Sequence, residues 1–142
     1  MTVYTQSNTE VPEMKRYLAI IVLFLCVCLF GACGNSAGAQ YRKITAQEAK
    51  AYMDGDVAFI LLDVRTMDEF NSEHIAGAIL IPHTELASRC AAELPDKTAL
   101  ILVYCRSGNR SETAARQLVK LKYTNVFDFG GIINWPYGTV SG

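Results

Sequence analysis

The fold of this chain is decided by the apolar run Ala99-Leu100-Ile101-Leu102-Val103-Tyr104 and by the run that follows it, Cys105-Arg106-Ser107-Gly108-Asn109-Arg110-Ser111. The first run predicts a buried strand, and residues 112–121 predict a helix. A thiol therefore stands between a strand end and a helix N-terminus. Backbone N–H groups and the positive end of the helix dipole favour a thiolate at such a place. We predict that Cys105 is a reactive cysteine.

Short strands and helices are predicted to alternate on both sides of this stretch. The predicted strands cover residues 41–44, 57–63, 78–81, 98–104 and 126–129, and the predicted helices cover 45–53, 66–71, 84–92 and 111–122. The run Thr45-Ala46-Gln47-Glu48 is a capping box that starts the first helix, and Asn109 or Ser111 is available to cap the last one. Such alternation implies an α/β fold with parallel strands, whose carboxyl ends share one edge. Asp63 and Cys105 should therefore face the same crevice.

Composition supports one folded domain with a tail. The 142 residues are 51% hydrophobic, which is enough for a packed core. The 13 basic and 14 acidic residues nearly cancel and form no basic stripe, so a nucleic-acid partner is not expected.

The first 33 residues have the pattern of an export signal. Lys15 and Arg16 precede an uncharged apolar stretch at 17–32 that ends in small residues. The stretch is short for a membrane-spanning helix, although a transmembrane anchor stays open as the alternative. Residues 1–13 form an upstream extension, because Met14 would start a signal peptide of ordinary length.

The run Phe30-Gly31-Ala32-Cys33 resembles the lipobox of bacterial lipoproteins, with Phe30 where Leu is usual. The resemblance implies an exported protein that begins at a lipidated Cys33 and is held to a membrane by a flexible tether at 34–40. A soluble exported protein cut nearby is the alternative. The domain at 41–142 would then keep two cysteines, Cys90 and Cys105, for which a disulfide is conceivable in an oxidising compartment. A small residue packed on a helix face is the simpler interpretation of Cys90.

Four segments in order resemble the signatures of a single-domain rhodanese, a sulfurtransferase module, over residues 41–140. They are Leu61-Leu62-Asp63-Val64-Arg65, then Glu69-Phe70 with Glu73-His74-Ile75-Ala76-Gly77-Ala78-Ile79, then Tyr104 through Ser111, and finally Gly130-Gly131-Ile132 with Trp135 and Gly138. Glu73 stands where Gly is commoner in the family. The resemblance implies a small α/β domain with a mainly parallel five-stranded sheet flanked by helices.

The resemblance also implies the chemistry. Cys105 would take a sulfane sulfur from thiosulfate or a related anion, become a persulfide and pass the sulfur to cyanide, a thiol or a protein acceptor, without a metal or other cofactor. The binding loop would comprise Arg106, Ser107, Gly108, Asn109 and Arg110. Its backbone N–H groups would surround the outer sulfur, Gly108 would permit the tight turn, and the two arginines would attract the anion.

Several of the other polar and aromatic residues have simpler roles. Arg110 could instead be a solvated surface residue. Asp63 and Arg65 are expected to support the strand ends as an ion pair. We expect His74 to belong to its turn, His83 to a surface loop and Trp135 to the core. The two histidines do not form metal-ligand spacing with a cysteine.

Two other functions stay open. Phosphatases and arsenate reductases of the same fold also use a cysteine loop closed by arginine, but their signature needs five residues between the two, whereas Cys105 and Arg110 enclose four. A sulfur carrier or a partner-binding module without turnover is the second alternative. Cys105 argues against an inactive module, because inactive members typically lack the cysteine.

Overall fold

Strands and helices alternate through residues 40–142, the part of the chain that the computed structural model describes. The strands are β1 Arg42–Lys43, β2 Phe59–Asp63, β3 Ile79–Leu80, β4 Leu100–Cys105 and β5 Asn125–Gly131. The helices are α1 Ala46–Met53, α2 Met67–Ser72, α3 Leu86–Glu93 and α4 Asn109–Lys120, followed by a 3₁₀ turn at Ile132–Asn134. The predicted export signal, Cys33 and the tether up to residue 39 lie outside the described residues.

The five strands form one parallel sheet in the order β1-β5-β4-β2-β3. This confirms the predicted α/β class and the five-stranded parallel sheet. Strand β4 lies at the centre, with Leu102 paired to Leu61 of β2 and to Phe127 of β5. Its carboxyl end, where Cys105 stands, therefore lies at the middle of the sheet edge.

Core residues cover both faces of the sheet, as expected for parallel strands between helix layers. Ile101, Val103 and Cys105 of β4 point to one face, where they pack with side chains of α3 and α4. Leu102 and Tyr104 point to the other face. The period of two along β4 thus directs the Cys105 side chain towards α3 and α4.

Two capping boxes start the first two helices. In α1 the Thr45 side chain accepts the N–H of Glu48, and the Glu48 carboxylate accepts the N–H of Thr45, as predicted. In α2 Thr66 and Glu69 make the same pair of bonds. The sequence predicts a helical turn at this position, and the structure adds the second capping box.

The start of the longest helix differs from the prediction. Helix α4 begins at Asn109, two residues earlier than expected, and neither Asn109 nor Ser111 is its cap. The N-cap is Gly108, whose φ of 108° only glycine adopts readily. Ser111 is instead buried within the first turn, where it faces the cysteine loop.

The strand boundaries also differ from the prediction by one or two residues, including β4, which runs from Leu100 to Cys105 rather than over 98–104. Two of these differences follow from strand pairing. Strand β2 begins at Phe59 rather than residue 57, because its pairing with β4 begins opposite Leu100. Strand β5 runs through Gly131 rather than ending at Phe129, because Gly131 pairs with Cys105. The two adjacent glycines, Gly130 and Gly131, thus belong to the sheet and lie directly beside the cysteine.

Candidate active site

Cys105 is the last residue of β4 and is only 1% exposed. Its sulfur accepts the backbone N–H of Gly108 at 3.1 Å, so the loop turns back over the thiol. The carbonyl of Arg106 accepts the N–H of Ile133 at 3.3 Å and ties the start of the loop to the 3₁₀ turn. The predicted strand, loop and helix N-terminus therefore meet around the sulfur.

Opposing effects determine the acidity of this thiol. Burial raises the pKa of Cys105. Hydrogen bonds from the backbone N–H groups of Ser111, Gly108 and Ser107 and from the Ser111 hydroxyl together lower this pKa by more than burial raises it. The net effect places the pKa of Cys105 below its ordinary value. A thiolate is the nucleophilic form of cysteine, so the loop favours the reactive species.

Ser111 contributes more than the capping role considered for it in the sequence. Its hydroxyl lies 2.9 Å from the carbonyl oxygen of Gly108 and 3.2 Å from that of Gly130, and it also lies in hydrogen-bond reach of the Cys105 sulfur. A hydroxyl has one proton to donate, so these acceptors compete for it. Rotation of the Ser111 hydroxyl can therefore turn its proton towards the sulfur when the sulfur is charged, while the side chain stays buried.

Gly131 provides the surface on which the loop rests. A Cβ atom at this residue would lie 2.4 Å from the carbonyl oxygen of Arg106 and 2.6 Å from the Cα of Ser107. Both contacts are with backbone, which cannot move aside as a flexible side chain can. Glycine at Gly131 is thus required by the close approach of β5 to the loop.

Asp63 and Arg65 form the buried ion pair that the sequence predicts. The Asp63 carboxylate accepts the Arg65 backbone N–H at 2.9 Å and Nη2 at 2.7 Å, and the two side chains are 0% and 3% exposed. Arg65 also donates to the carbonyl of Glu73 at 2.5 Å, which ties the end of β2 to the segment after α2. Burial and the neighbouring Asp63 carboxylate raise the pKa of Tyr104, so its hydroxyl stays protonated beside this pair.

The two loop arginines have different surroundings. Arg106 is exposed and lines a cleft of about 280 Å³ together with Arg65, Glu69, Ser72, Glu73, Ile132 and Ile133. Arg110 is held by Glu69, with Nη1–Oε2 at 2.6 Å and Nη2–Oε1 at 2.7 Å. From the sequence, Arg110 is expected either to bind an anion or to be a solvated surface residue. The structure shows instead that it forms a bidentate ion pair with Glu69.

Glu69 was not among the site residues predicted from the sequence. The sequence carries a signal only for the local role of Glu69, because its position three residues after Thr66 is typical of a capping box. The pairing with Arg110 joins residues 41 positions apart, and no local pattern contains it.

The rest of the loop faces a second cleft. Ser107, Gly108 and Asn109 line a space of about 260 Å³ whose charged lining residues are Lys43, Glu112 and Asp128. The five predicted binding residues therefore divide between two clefts and the Glu69 ion pair.

The remaining polar candidates take structural positions. His74 stacks on Phe70 with ring centres 3.9 Å apart, and its Nδ1 lies 2.9 Å from the Phe70 carbonyl oxygen. Trp135 packs in the core against Phe129 and donates Nε1–H to a backbone carbonyl at 3.0 Å. His83 is half-buried in a loop. These positions agree with the turn and core roles expected for His74 and Trp135.

Cys90 is a buried free thiol on α3, and Cys105 is also free. Within residues 40–142, no group of three or more His, Cys, Asp or Glu side chains is placed to hold a metal ion. Across the same residues, no helix has the length and apolarity needed to cross a bilayer.

Known proteins are similar to this chain in sequence and in fold. Residues 45–136 match the family model described as a rhodanese-like domain. Over 71 residues the chain is 39% identical to "Thiosulfate sulfurtransferase PspE" of Escherichia coli, an alignment that covers 50% of this chain and 68% of that protein. It is 34% identical over 94 residues to "Putative sulfur carrier protein YrkF" of Bacillus subtilis, covering 66% of this chain and 50% of that longer protein.

A solved structure described as "rhodanese with anions from E. coli" superposes with a TM-score of 0.57 at 36% identity, covering 60% of this chain and all of that one. The family match spans more than half of the chain and includes the whole cysteine loop. The chain therefore belongs to the rhodanese-like domain family of sulfurtransferases.

Proposed function

We propose that this protein transfers a sulfane sulfur through a persulfide on Cys105. The main support is the 3.1 Å hydrogen bond from the Gly108 N–H to the Cys105 sulfur, together with the lowered pKa of the Cys105 thiol in its loop. The relative named as a thiosulfate sulfurtransferase supports thiosulfate as the donor.

The proposed reaction has two displacements. The Cys105 thiolate attacks the outer sulfur of thiosulfate, a sulfur–sulfur bond to the enzyme forms, and the bond to the sulfonate group breaks with release of sulfite. An acceptor such as cyanide, a thiol or a protein thiolate then attacks the terminal sulfur of the persulfide. This restores the Cys105 thiolate, so the two half-reactions balance and need no added oxidant or cofactor. Ping-pong kinetics follow from such a covalent intermediate.

The loop is proposed to bind the donor. The backbone N–H groups of Ser107, Gly108 and Asn109 would surround the transferred sulfur, and Arg106 would attract the sulfonate end of the donor. Exposure of Arg106 in the 280 Å³ cleft supports this role. Replacing Arg106 with alanine should raise the KM for thiosulfate with a smaller effect on kcat. Unchanged steady-state constants would contradict the role.

Intact mass measurement tests the proposal directly. After treatment with thiosulfate the protein should gain the mass of one sulfur atom, and cyanide should remove it. The Cys105→Ser variant should gain nothing, and the Cys90→Ser variant should gain the same mass as the wild type. An equal gain in the Cys105→Ser variant, or no gain in the wild type, would refute the mechanism.

A sulfur carrier that holds a persulfide without rapid turnover is the second candidate, favoured by the likeness to a relative whose name includes "sulfur carrier protein". Steady-state conversion of thiosulfate and cyanide to thiocyanate separates the two, because a carrier would load once and turn over slowly. Hydrolysis of phenyl phosphate would instead point to a phosphatase, which the four-residue spacing between Cys105 and Arg110 disfavours.

We also propose, from the sequence of residues 1–40, that the protein is exported and attached to a membrane through a lipid on Cys33. The lipobox-like run before this cysteine is the support. The Cys33→Ala variant of the full chain should be released from the membrane fraction. Retention of that variant would indicate a spanning signal anchor instead.

A further inference from the structure

The Glu69–Arg110 ion pair links α2 to the first turn of α4, beside the cysteine loop. We infer that Glu69 determines the charge selectivity of the Cys105 site, because it holds a guanidinium that would otherwise attract anions to the thiol. The inference rests on the proposed function in that Cys105 is the residue that donors reach. It adds which donors the site prefers: Glu69 weakens the preference for doubly charged anions such as thiosulfate relative to less charged donors of similar size.

The geometry holds both partners firmly. Each carboxylate oxygen of Glu69 bonds one Arg110 nitrogen, at 2.6 and 2.7 Å. The Glu69 Oε2 atom also accepts the backbone N–H and the hydroxyl of Thr66, both at 3.1 Å. The hydrogen bond from Arg110 lowers the pKa of Glu69 to about 2, with additional help from Thr66, although burial opposes it. Glu69 is therefore ionised throughout the pH range of an enzyme assay.

The charge of Arg110 acts on the cysteine. The pKa of Arg110 is raised chiefly by the hydrogen bonds that it donates to Glu69, against a lowering by burial, and further by the negative charges of Glu69, Cys105 and Asp63. Ser111, the next residue, helps to lower the pKa of the Cys105 thiol through its N–H and hydroxyl groups. Arg110 also lies in the first turn of α4, directly after the loop residues Ser107, Gly108 and Asn109. Its position in the chain therefore places its charge beside the cysteine loop.

Neighbouring charges on the described residues are mostly paired. Asp63 is neutralised by Arg65, and Glu112 is paired with Lys43 at 2.6 Å. With Glu69 in place the Arg110 pair adds no net charge to the site. Loss of the Glu69 carboxylate would expose one full positive charge beside the cysteine.

Two alkylating reagents of nearly equal size test this inference. Iodoacetate is an anion and iodoacetamide is neutral, and both react with the Cys105 thiolate. The full chain is alkylated at pH 7.5 and low ionic strength, and the rate at Cys105 is measured by mass spectrometry on the tryptic peptide 98–106. The ratio of the two rates reports the local charge, whereas a general loss of structure changes both rates together.

The Glu69→Gln variant should raise the iodoacetate-to-iodoacetamide ratio by about three- to tenfold, from a Coulomb interaction near the protein surface. The increase should largely vanish at about 1 M salt, where the screening length is about 3 Å. The Arg110→Gln variant leaves the Glu69 carboxylate unpaired and should lower the ratio. The double variant should return to within about twofold of the wild type.

Glu93→Gln is the matched control. Glu93 also holds an arginine with two hydrogen bonds, Arg89 Nε at 2.6 Å and Nη2 at 3.1 Å, but it lies on α3 and lines neither cleft beside the loop. Glu93→Gln removes the same formal charge as Glu69→Gln, but from a position outside the two clefts beside the loop. The iodoacetate-to-iodoacetamide ratio of Glu93→Gln should therefore stay within about twofold of the wild type.

An unchanged ratio in Glu69→Gln would overturn the inference, as would an equal increase in Glu93→Gln or a persistent increase in the double variant. If Glu69→Gln does not fold, an unchanged ratio in Arg110→Gln would overturn it. Alkylation needs only the thiol, so this outcome is independent of persulfide formation, on which the proposed function depends.

Discussion

Gly131→Ala is expected to abolish most activity because it moves the cysteine loop. The added Cβ would meet the Arg106 carbonyl oxygen at 2.4 Å, its carbonyl carbon at 2.9 Å and the Cα of Ser107 at 2.6 Å. Non-bonded heavy atoms settle at about 3.5 Å, so the loop backbone must retreat by about 1 Å. Gly131 pairs with Cys105 across β5 and β4, so the strain falls directly on the residue that carries the sulfur.

The expected loss of stability follows from overpacking, and the expected loss of activity follows from displacement of the cysteine loop. Forcing a methyl group into a packed interior costs about 1–3 kcal/mol, so urea unfolding should show a loss in that range. A displacement of about 1 Å at a reacting centre can reduce the rate by about a hundredfold. Thiosulfate:cyanide turnover of the folded variant should therefore fall by about that factor, and the alkylation rate of Cys105 should change with it.

Gly55→Ala is the matched control for this prediction. Its Cβ would meet its nearest neighbours at 3.5 and 3.6 Å, which is ordinary contact, and its φ is not in the left-handed region. Turnover of Gly55→Ala should stay near that of the wild type. The reasoning is refuted if Gly131→Ala keeps wild-type stability and turnover.

Three further predictions concern the charges around the site. Removing the hydroxyl in Ser111→Ala should raise the pKa of Cys105, so that alkylation falls at pH 6 relative to pH 9; an unmoved pH profile would contradict the hydroxyl's role. The pKa of Glu69 is about 2 in the folded protein against an ordinary 4.5, so its contribution to stability is complete above pH 4.5 and is lost as the pH falls towards 2; the stability difference between wild type and Glu69→Gln should shrink between pH 5 and pH 3 in urea titrations. Asp63→Asn leaves the Arg65 charge buried without a counterion and should cost about 3–5 kcal/mol in unfolding free energy, whereas Asp63→Asn combined with Arg65→Gln should cost less.

Much of the fold could be predicted because its signals are local. The apolar runs at 57–63 and 98–104 predicted the two central strands, and the Thr45–Glu48 capping box placed the start of α1. The α4 start was wrong because Gly108, with its positive φ, begins the helix before either polar candidate. Strand ends were also displaced, because pairing with a neighbouring strand decides where a strand stops.

The candidate site was likewise predictable only where it depends on neighbouring residues in the chain. Placing Cys105 between a strand and a helix N-terminus needed only neighbouring residues, and the structure adds the Gly108 N–H at 3.1 Å from its sulfur. The family resemblance supplied the expected sulfur chemistry. Nothing near Arg110 in the chain indicated Glu69, because that contact depends on how α2 packs beside α4.

Local sequence patterns were sufficient to predict the strand–loop–helix unit at Cys105, the alternation of elements and the Asp63–Arg65 pair, because each depends on residues close together in the chain. Three features depend on how distant elements pack together: Gly131 supports the loop, the Ser111 hydroxyl has three acceptors within reach, and Glu69 neutralises Arg110. The contacts of Ser111 with Gly130 and of Glu69 with Arg110 join residues separated by 19 and 41 positions, and the Gly131 contact needs the close approach of two backbones. Sheet register and helix packing fix such distances, and a one-dimensional pattern does not contain them.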